Sequence, residues 1–522
     1  MAASLDAIPH DVLGHIAYLL ATASPTGPPR YLLPLLLTSS KIYRALVVHH
    51  CPQLYANIFR ATFDIDHDLH THLTDSILAN ELQLRHRILW RMRRNDLTSE
   101  PTIYEAWAAL RTVLETSCRN EVLLAQAGLP AFIMTHVQNR LTRAAVDNPG
   151  SCQYSETMYI LLWLLSVTLT HDNIVDTPEA TREGLRKLLR FATFSPKMIG
   201  DSSQKAHGGK NVSGTIKPAS HVSFADVDHT PLLEKATPII IITFALNEAV
   251  PFKIPPHVPQ TRAIAIANQR SGPTVEDFRD IANARTPLFA ESRHAKFCSS
   301  NPAAYIANPA HREMYNARLR PFLHSTYLGL NYHPGYVYIP GSLAGLWEGS
   351  FMISGEPKPA NALSPPVLGN FKCLKPMQCA ITEYHCFSPH LPISWDHSAD
   401  FLESVVKSPE FGYEKYIPGL NEGNRDFTKA LDAIILGTTL HDHEQAWNGF
   451  RFVGRVRSDG FILMYREPKS QADREGLGTW IFEGHLRYHA AFVGQWRSSM
   501  PTSGCDLRGI FSLHKVDAAW SE

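Results

Sequence analysis

Residues 480–496 read WIFEGHLRYHAAFVGQW, and this stretch decides the fold of the C-terminal third. It contains one unit twice, at residues 482–486 and 492–496: aromatic, any residue, Gly, any residue, apolar. Side chains alternate between the two faces of a strand, so the aromatic, the glycine and the apolar residue share one face. A glycine there permits the sharp bend or bulge that a closed sheet requires. The stretch therefore predicts strongly curved strands.

The unit recurs after about residue 335, where the hydrophobic period changes from 3.6 to 2. A third copy covers residues 347–351, with looser copies at 447–450 and 509–513. Residues 335–522 are thus predicted to form an antiparallel β-barrel or curved sheet.

Two alternating runs, residues 450–457 and 461–466, flank Ser458-Asp459-Gly460, which is typical of a hairpin. Residues 354–370 and 467–477 read as loops. Four tryptophans are candidates for lining the barrel interior, either as packing or around a ligand. They are Trp347, Trp447, Trp480 and Trp496.

The composition excludes several classes of protein. The chain has 522 residues, of which 44% are hydrophobic and 19% charged, which excludes wholesale disorder and a small disulfide scaffold. Forty-nine basic residues balance 49 acidic ones, which argues against a protein whose main task is binding nucleic acid.

Eight cysteines are spread along the chain without a C-x-x-C pair, which favours reduced thiols. The N-terminus resembles no signal peptide, and no apolar run reaches the ~20 residues that span a bilayer. We expect a soluble protein without a membrane partner, in the cytoplasm, the nucleus or both.

The chain before the barrel is predicted to be mainly helical. Val12, Leu13, Ile16, Leu19 and Leu20 follow the spacing of one helix face before a loop at residues 22–30, and a second helix is predicted from about 31 to 48, ended by Pro52. The whole chain divides into five predicted parts: 1–60, the helical domain 61–194, the flexible linker 195–231, the mixed helical region 232–334, and the barrel 335–522. The run from Met158 to Leu169 is apolar on nearly every face, which indicates a buried helix.

Residues 8–46 begin with Ile8-Pro9, continue through two short apolar helices, and close on the stretch LLTSSKIYRAL at 36–46. This order resembles an F-box. The one departure is a longer Pro/Gly-rich loop at residues 22–30 between the helices. Segments of the barrel region, including Ile339–Gly349, also resemble large fungal F-box proteins.

The resemblance implies a non-catalytic substrate receptor of an SCF-type cullin–RING ubiquitin ligase. Residues 1–60 would be the F-box, binding a Skp-family adaptor and through it a cullin, and the barrel would bind an unknown target protein. We expect the adaptor contacts to be exposed in the isolated chain. By the motif, they are Ile8, Pro9, Val12, Leu13, Ile16, Leu36, Leu37, Ile42 and Tyr43.

Three clusters invite other interpretations. His and Asp residues crowd positions 64–75, and His441-Asp442-His443-Glu444 form a second run, but neither spacing matches a zinc signature. We interpret them as polar connections, the second as a turn between barrel strands. Cys373, Cys379 and Cys386 are predicted to be buried small hydrophobes, with Cys386 on the opposite strand face from the other two.

Arginines at 85, 87, 91, 93 and 94 surround Trp90. We interpret this stretch as a solvated helix face with an apolar reverse rather than a nucleic-acid patch.

No catalytic signature is present: the sequence lacks a G-x-S-x-G elbow, an H-E-x-x-H pair, a Walker A loop and a G-x-G-x-x-G turn. We therefore predict no catalytic residues, no metal and no cofactor. Two alternatives stay open. One is a small-ligand carrier or hydrolase built on the barrel, and the other is a helical scaffold without a link to ubiquitin.

Overall fold

The computed structural model has helices in the N-terminal half and a closed eight-stranded antiparallel barrel at the C-terminus, which confirms the predicted α+β multidomain class. The chain divides after Leu169 into two compact units. The five-part division stays a prediction. The structure describes residues 8–23, 29, 31–64, 73–99, 101–114, 118–147, 156–193, 230–250, 254–288, 338, 340–353, 374–387, 398–417, 430–457, 460–470, 478–487, 491–499 and 507–516.

The first unit is a layer of packed helices. α5 packs against α4 and α6, and α9 packs against α6 and α8. The predicted burial of α9 is confirmed, because most of its apolar side chains are buried. The helices are α1 (His10–Thr22), α2 (Leu32–Leu36), α3 (Ser40–Leu46), α4 (Pro52–Thr62), α5 (Asp75–Arg94), α6 (Ile103–Leu114), α7 (Cys118–Ala127), α8 (Leu129–Asp147) and α9 (Glu156–Thr168).

The single helix predicted over residues 31–48 is wrong, since two short helices occupy this stretch. The Thr38 hydroxyl donates to the Leu35 carbonyl at 2.6 Å, where α2 ends. The Ser39 hydroxyl accepts from the Ile42 N–H at 3.2 Å and caps α3. Pro52 begins α4 rather than ending a helix, because a first-turn proline loses no intrahelical hydrogen bond.

The second unit joins seven helices, among the residues described, to the nine strands. The helices are α10 (His171–Asp176), α11 (Glu179–Thr193), α12 (Thr230–Glu248), α13 (Arg262–Ala267), α14 (Val275–Asn283), α15 (Ala399–Lys407) and α16 (His441–Trp447). The strands are β1 (Gly345–Ile353), β2 (Leu374–Cys386), β3 (Tyr413–Lys415), β4 (Asp432–Thr438), β5 (Phe450–Val456), β6 (Phe461–Pro468), β7 (Trp480–Arg487), β8 (Ala491–Ser498) and β9 (Arg508–Lys515).

The barrel is closed by the antiparallel pairing of β1 with β2, while the remaining order is β1-β9-β8-β7-β6-β5-β4-β2. The short strand β3 adds to β2 at the edge. The predicted hairpin is confirmed by the pairing of β5 with β6, in which Val456 lies opposite Ile462.

Glycines let the strands of the barrel approach closely. Gly484 on β7 lies directly opposite Gly494 on β8. A Cβ at Gly494 would lie 2.0 Å from the Glu483 carbonyl oxygen, so no larger residue fits without moving a strand. The repeated unit thus encodes close strand packing as well as curvature.

Three of the four predicted tryptophans contribute to the barrel core. Trp347 and Trp496 are buried in it, and Trp480 is partly buried against it. Both buried indoles satisfy their N–H: Trp347 donates to the Leu343 carbonyl at 2.7 Å and Trp496 to the Met352 carbonyl at 3.0 Å.

Trp447 does not line the barrel. It ends the short helix α16 and contacts Phe278 of α14 edge-on, at 5.3 Å between ring centroids. The turn predicted at residues 441–444 is likewise wrong, because these residues form the first part of α16. The aromatic-x-Gly pattern gave a wrong prediction for Trp447, because this residue ends α16 and β5 begins only at Phe450, after the glycine.

The buried helix α12 packs on the outside of the barrel against β7, β8 and β9. Its last residue, Glu248, accepts hydrogen bonds from the N–H and hydroxyl of Thr286, and the same hydroxyl lies 3.0 Å from Ser512 of β9. Among the described helices, none is both long enough and apolar enough to cross a bilayer. Of the predicted linker 195–231, residues 195–229 lie outside the described residues, and residues 230 and 231 begin α12. The predicted loop 354–370 also lies outside them. The loop predicted at 467–477 begins two residues too early, because β6 continues to Pro468.

Candidate functional site

The first helix presents three different faces. Leu13, Ala17 and Ala21 point into the helical unit and are buried. A second face carries polar residues such as His15, and a third carries apolar residues at spacings of three or four, ending at Leu19. A soluble helix normally buries only one apolar face, so the second apolar face is the candidate site.

This N-terminal apolar surface extends to residues on or beside α2 and α3, which both pack against α1. Leu37 is 73% exposed and Val12 45% exposed, although both are large and apolar. Isolated exposed apolar residues are ordinary, but a set concentrated on three short helices indicates a binding surface. We define the surface as Ile8, Val12, Ile16, Leu19, Tyr31, Leu33, Leu37 and Tyr43; Ile8 and Ile16 are partly buried and the other six exposed.

The nine predicted adaptor residues divide between this surface and the core beneath it. Exposure was expected of all nine, and that expectation is wrong for Leu13 and Ile42, which are 5% and 1% exposed. They hold the short helices together and cannot meet a partner without unfolding. Val12, Leu37 and Tyr43 are exposed, as is Pro9, whereas Ile8, Ile16 and Leu36 are partly buried.

A polar groove of 690 Å³ runs between α1 and α4 on the other side of α1. His10, His15 and Tyr18 line one wall, and Asn57 and Arg60 line the other. The Arg60 guanidinium already bonds Asp75 at 2.8 Å and the Asn57 side chain at 3.1 Å. The guanidinium of Arg60 is therefore already engaged by neighbouring side chains.

The arginine-rich stretch of α5 is not a solvated face throughout. Arg85 is fully buried, bonds Glu81 at 3.1 Å, and lies over the Phe59 ring at 4.8 Å. Arg91 is also buried and bonds Glu105 at 3.0 Å. The interpretation as a solvated face is therefore wrong for these two residues. These two arginines can be buried because each has a buried carboxylate partner, which offsets the cost of burying a guanidinium.

A buried carboxylate, Glu383, organises the start of the barrel. It accepts hydrogen bonds from the Tyr338 hydroxyl at 2.5 Å and from the backbone N–H groups of Gly341, Leu343 and Ala344 at 2.5–2.7 Å. Burial alone would raise the pKa of Glu383, but these bonds and one from His385 lower it below its usual value. The ionised carboxylate therefore anchors the segment that precedes β1.

Inside the opposite part of the barrel lies a buried arginine, Arg466. Its guanidinium carbon is 3.5 Å from the ring centroid of Phe450 and 4.7 Å from that of Trp480. Burial lowers the pKa of Arg466 to about 9, and the nearby Cys379 thiol acts in the opposite direction. Charged residues are rarely buried without a partner, so this side chain is a second candidate for function.

The described part of the chain contains no group of three or more His, Cys, Asp or Glu residues that could hold a metal ion. Cys379 is buried in the barrel core, while the Cys386 thiol lies 3.4 Å from the Phe411 carbonyl outside it. These two cysteines thus occupy opposite faces of β2, as predicted. Cys373 and most of the His/Asp-rich segment at 64–75 lie outside the described residues.

No protein-family model matches the chain, and neither does any curated protein or solved structure. The assignment of the candidate sites therefore rests on their geometry alone.

Sequence reasoning missed both Glu383 and Arg466. A signal for Arg466 was present, since it follows Ile462 and Met464 at alternate positions of a strand whose inward face is apolar. The same signal was present for Glu383, which follows Cys379 and Ile381 at alternate positions of β2, but its donors come from a turn about 40 residues earlier and could not be foreseen.

Proposed function

We propose that the chain is the substrate receptor of an SCF-type ubiquitin ligase. The N-terminal apolar surface would bind a Skp-family adaptor, and the adaptor would connect the receptor to a cullin scaffold. The observation that carries the proposal is the exposure of large apolar side chains on α1 and around α2 and α3, within the stretch that resembles an F-box. Short helices with an unpaired apolar face are suited to bind a partner's helices.

Under this proposal the chain performs no bond chemistry itself. It would hold a target protein near a ubiquitin-charged enzyme and so raise the effective concentration of the target lysine. The barrel would present the target-binding surface. The proposed compartment is the cytoplasm or the nucleus, which agrees with the free thiols at Cys51, Cys379 and Cys386.

The test is a pull-down of the full-length protein by a purified Skp-family adaptor. Val12→Asp and Leu37→Asp each place a carboxylate in the proposed interface while leaving the core beneath it intact. A buried carboxylate without a partner costs several kcal/mol, so the double variant should bind roughly 100-fold more weakly. Leu13 is unsuitable for this experiment because its substitution would disturb the core.

Val122→Asp is the matched control, since Val122 is 43% exposed and lies in the same helical unit but outside the surface. Adaptor binding should be unchanged in this variant. Failure of the wild-type protein to bind any Skp-family adaptor, in the presence of correctly folded protein, would reject the receptor and favour the helical scaffold.

A second candidate function, a small-ligand carrier built on the barrel, is supported by one observation: the buried guanidinium of Arg466. A receptor role and a ligand in the barrel are compatible with each other. No described feature favours the hydrolase, which stays a prediction.

A further inference from the structure

Arg466 points into the barrel and is enclosed by aromatic rings. It alternates along β6 with Ile462 and Met464, which both belong to the barrel core. Only 5% of the residue is exposed. Its guanidinium lies over Phe450, and the rings of Trp480 and Phe351 lie within 5.1 Å of the guanidinium carbon.

The aromatic rings stabilise the positive charge but leave the hydrogen-bond donors unsatisfied. A ring attracts a guanidinium through its π face, whereas the N–H groups point outward in the guanidinium plane. The Nε and Nη1 atoms of Arg466 are buried, and no described residue accepts a hydrogen bond from either. Leaving charged donors unpaired in the interior is costly, so an acceptor is expected at this position.

The contrast with the other buried arginines supports this expectation. Among the described residues, each of them forms an ion pair, and each ion pair lies within 3.1 Å. Arg466 forms none with any described residue. The pairs are Arg85 with Glu81, Arg91 with Glu105, and Arg455 with Asp432.

Arg466 lies near one end of the barrel, two residues before the end of β6. Across the sheet it is paired with Trp480, the first residue of β7, and its ring neighbour Phe450 is the first residue of β5. The short helix α16 ends just before Phe450 and brings His443 to the same end. Burial first, and the positive charge of Arg466 second, lower the pKa of His443 to about 4.

Asp277 of α14 acts in the opposite direction and raises the pKa of His443. Asp277 is already engaged, because it bonds the Arg262 guanidinium at 2.7 Å and the Thr274 hydroxyl at 2.7 Å. The described residues around Arg466 therefore form a positively charged, largely apolar environment without an internal counter-ion.

We propose that Arg466 binds the carboxylate of a small organic acid, whose apolar part lies against the partly buried ring of Trp480. A planar carboxylate matches two parallel N–H groups of a guanidinium, one from Nη2 and the other from Nη1 or Nε, and such bidentate pairs are among the strong hydrogen bonds of proteins. An inorganic anion would satisfy the charge but would make no use of the aromatic wall. This ligand site lies on barrel strands, whereas the proposed adaptor surface lies on and beside α1, α2 and α3. The two proposals can therefore be tested independently of each other.

The test uses the full-length protein and two pairs of probes with matched shape. Benzoate and hexanoate carry the carboxylate, and benzyl alcohol and hexanol are their neutral counterparts. Isothermal titration calorimetry should give at least roughly tenfold tighter binding for an acid than for its alcohol, because only the acid forms charge-assisted bonds. Arg466→Gln should remove this difference.

Arg451→Gln is the matched control, since Arg451 lies on the adjacent strand β5 but bonds carboxylates including Glu403 and Glu467. Acid binding should survive in this variant. Binding that is equal for acids and alcohols, or that persists in Arg466→Gln, would overturn the proposal. So would chloride or inorganic phosphate binding as tightly as the organic acids.

A second measurement does not depend on choosing the correct probe. If the guanidinium is unpaired in the ligand-free protein, Arg466→Met should raise Tm, because it removes an uncompensated buried charge. If Arg466 is instead a structural cation stabilised by its three aromatic neighbours, Arg466→Met should lower Tm. A lower Tm together with no Arg466-dependent acid binding would reject the ligand site.

Discussion

The hydroxyl of Tyr338 donates a 2.5 Å hydrogen bond to the carboxylate of Glu383, and both side chains are buried. Burial first, and the charge of Glu383 second, raise the pKa of Tyr338 well above its usual value, so the hydroxyl stays a donor. This pair joins a residue before the first barrel strand to the interior face of the second. It belongs to a set of donors that converge on one carboxylate.

Replacing Glu383 by alanine should destabilise the barrel unit by about 3–5 kcal/mol, because the variant leaves several buried donors without their acceptor. Chemical denaturation followed by tryptophan fluorescence measures the change. Glu410→Ala, at an exposed position, is the control and should change the unfolding free energy by less than about 0.5 kcal/mol. Equal stability of both variants would contradict the anchoring role of Glu383.

Removing Glu81 should destabilise the helical unit, because it takes from the buried Arg85 a carboxylate at 3.1 Å. We expect a loss of about 3–5 kcal/mol for Glu81→Ala. The comparison is Asp75→Ala, which breaks the partly exposed pair with Arg60 and should cost about 1 kcal/mol or less. Thermal unfolding followed by circular dichroism measures both, and similar losses would show that burial does not govern these pairs.

Two glycines should respond to alanine in opposite directions. Gly494→Ala places a Cβ 2.0 Å from a backbone oxygen of the paired strand, so we expect a loss of at least about 2 kcal/mol. Gly184→Ala lies within helix α11 with open space around its Cβ, and should stabilise the same unit by about 0.5–1 kcal/mol. Urea denaturation of each variant measures both changes. Destabilisation in both would contradict the tight strand contact as the specific cause.

Acid should weaken the helical unit through His86. Burial first, and the charge of Arg93 second, lower the pKa of His86 to about 4, whereas the unfolded chain has a value near 6.5. The unfolded state therefore binds the proton more readily, and stability falls as the pH decreases from about 6.5 to about 4. The loss from this one group amounts to about 3 kcal/mol.

The variant His86→Leu removes this titration while preserving an apolar contact with Phe63, whose ring meets the imidazole edge-on at 5.6 Å. Denaturation midpoints at pH 7.5 and pH 4.5 should differ less in the variant than in the wild-type protein. An unchanged difference would show that other groups cause the acid sensitivity.

The sequence predicted the adaptor surface and the barrel to different extents. The apolar spacing in residues 8–46 identified the N-terminal stretch as helical, but neither the break between α2 and α3 nor the burial of Leu13 and Ile42. An amphipathic pattern indicates which residues are apolar. It does not indicate which of two apolar faces is covered by the rest of the chain, because that depends on the packing of α4 and its neighbours.

The arginines of α5 show the same limit. The pattern indicated a charged face, and the structure buries Arg85 and Arg91 because Glu81 and Glu105 accompany them into the interior. Charge alone therefore misleads wherever a partner carboxylate comes from another turn or another helix.

By itself, the sequence determined the class of most elements, though not of α16, since a period of 3.6 or 2 and the position of glycine are local properties of the backbone. It specified the curved strands around Gly484 and Gly494 in this way. Only the tertiary structure decided that β1 pairs with β2 to close the barrel, that Glu383 receives donors from an earlier turn, and that Arg466 has no described counter-ion. These features depend on contacts between residues distant in the chain, and a local period carries no information about which distant residues will meet.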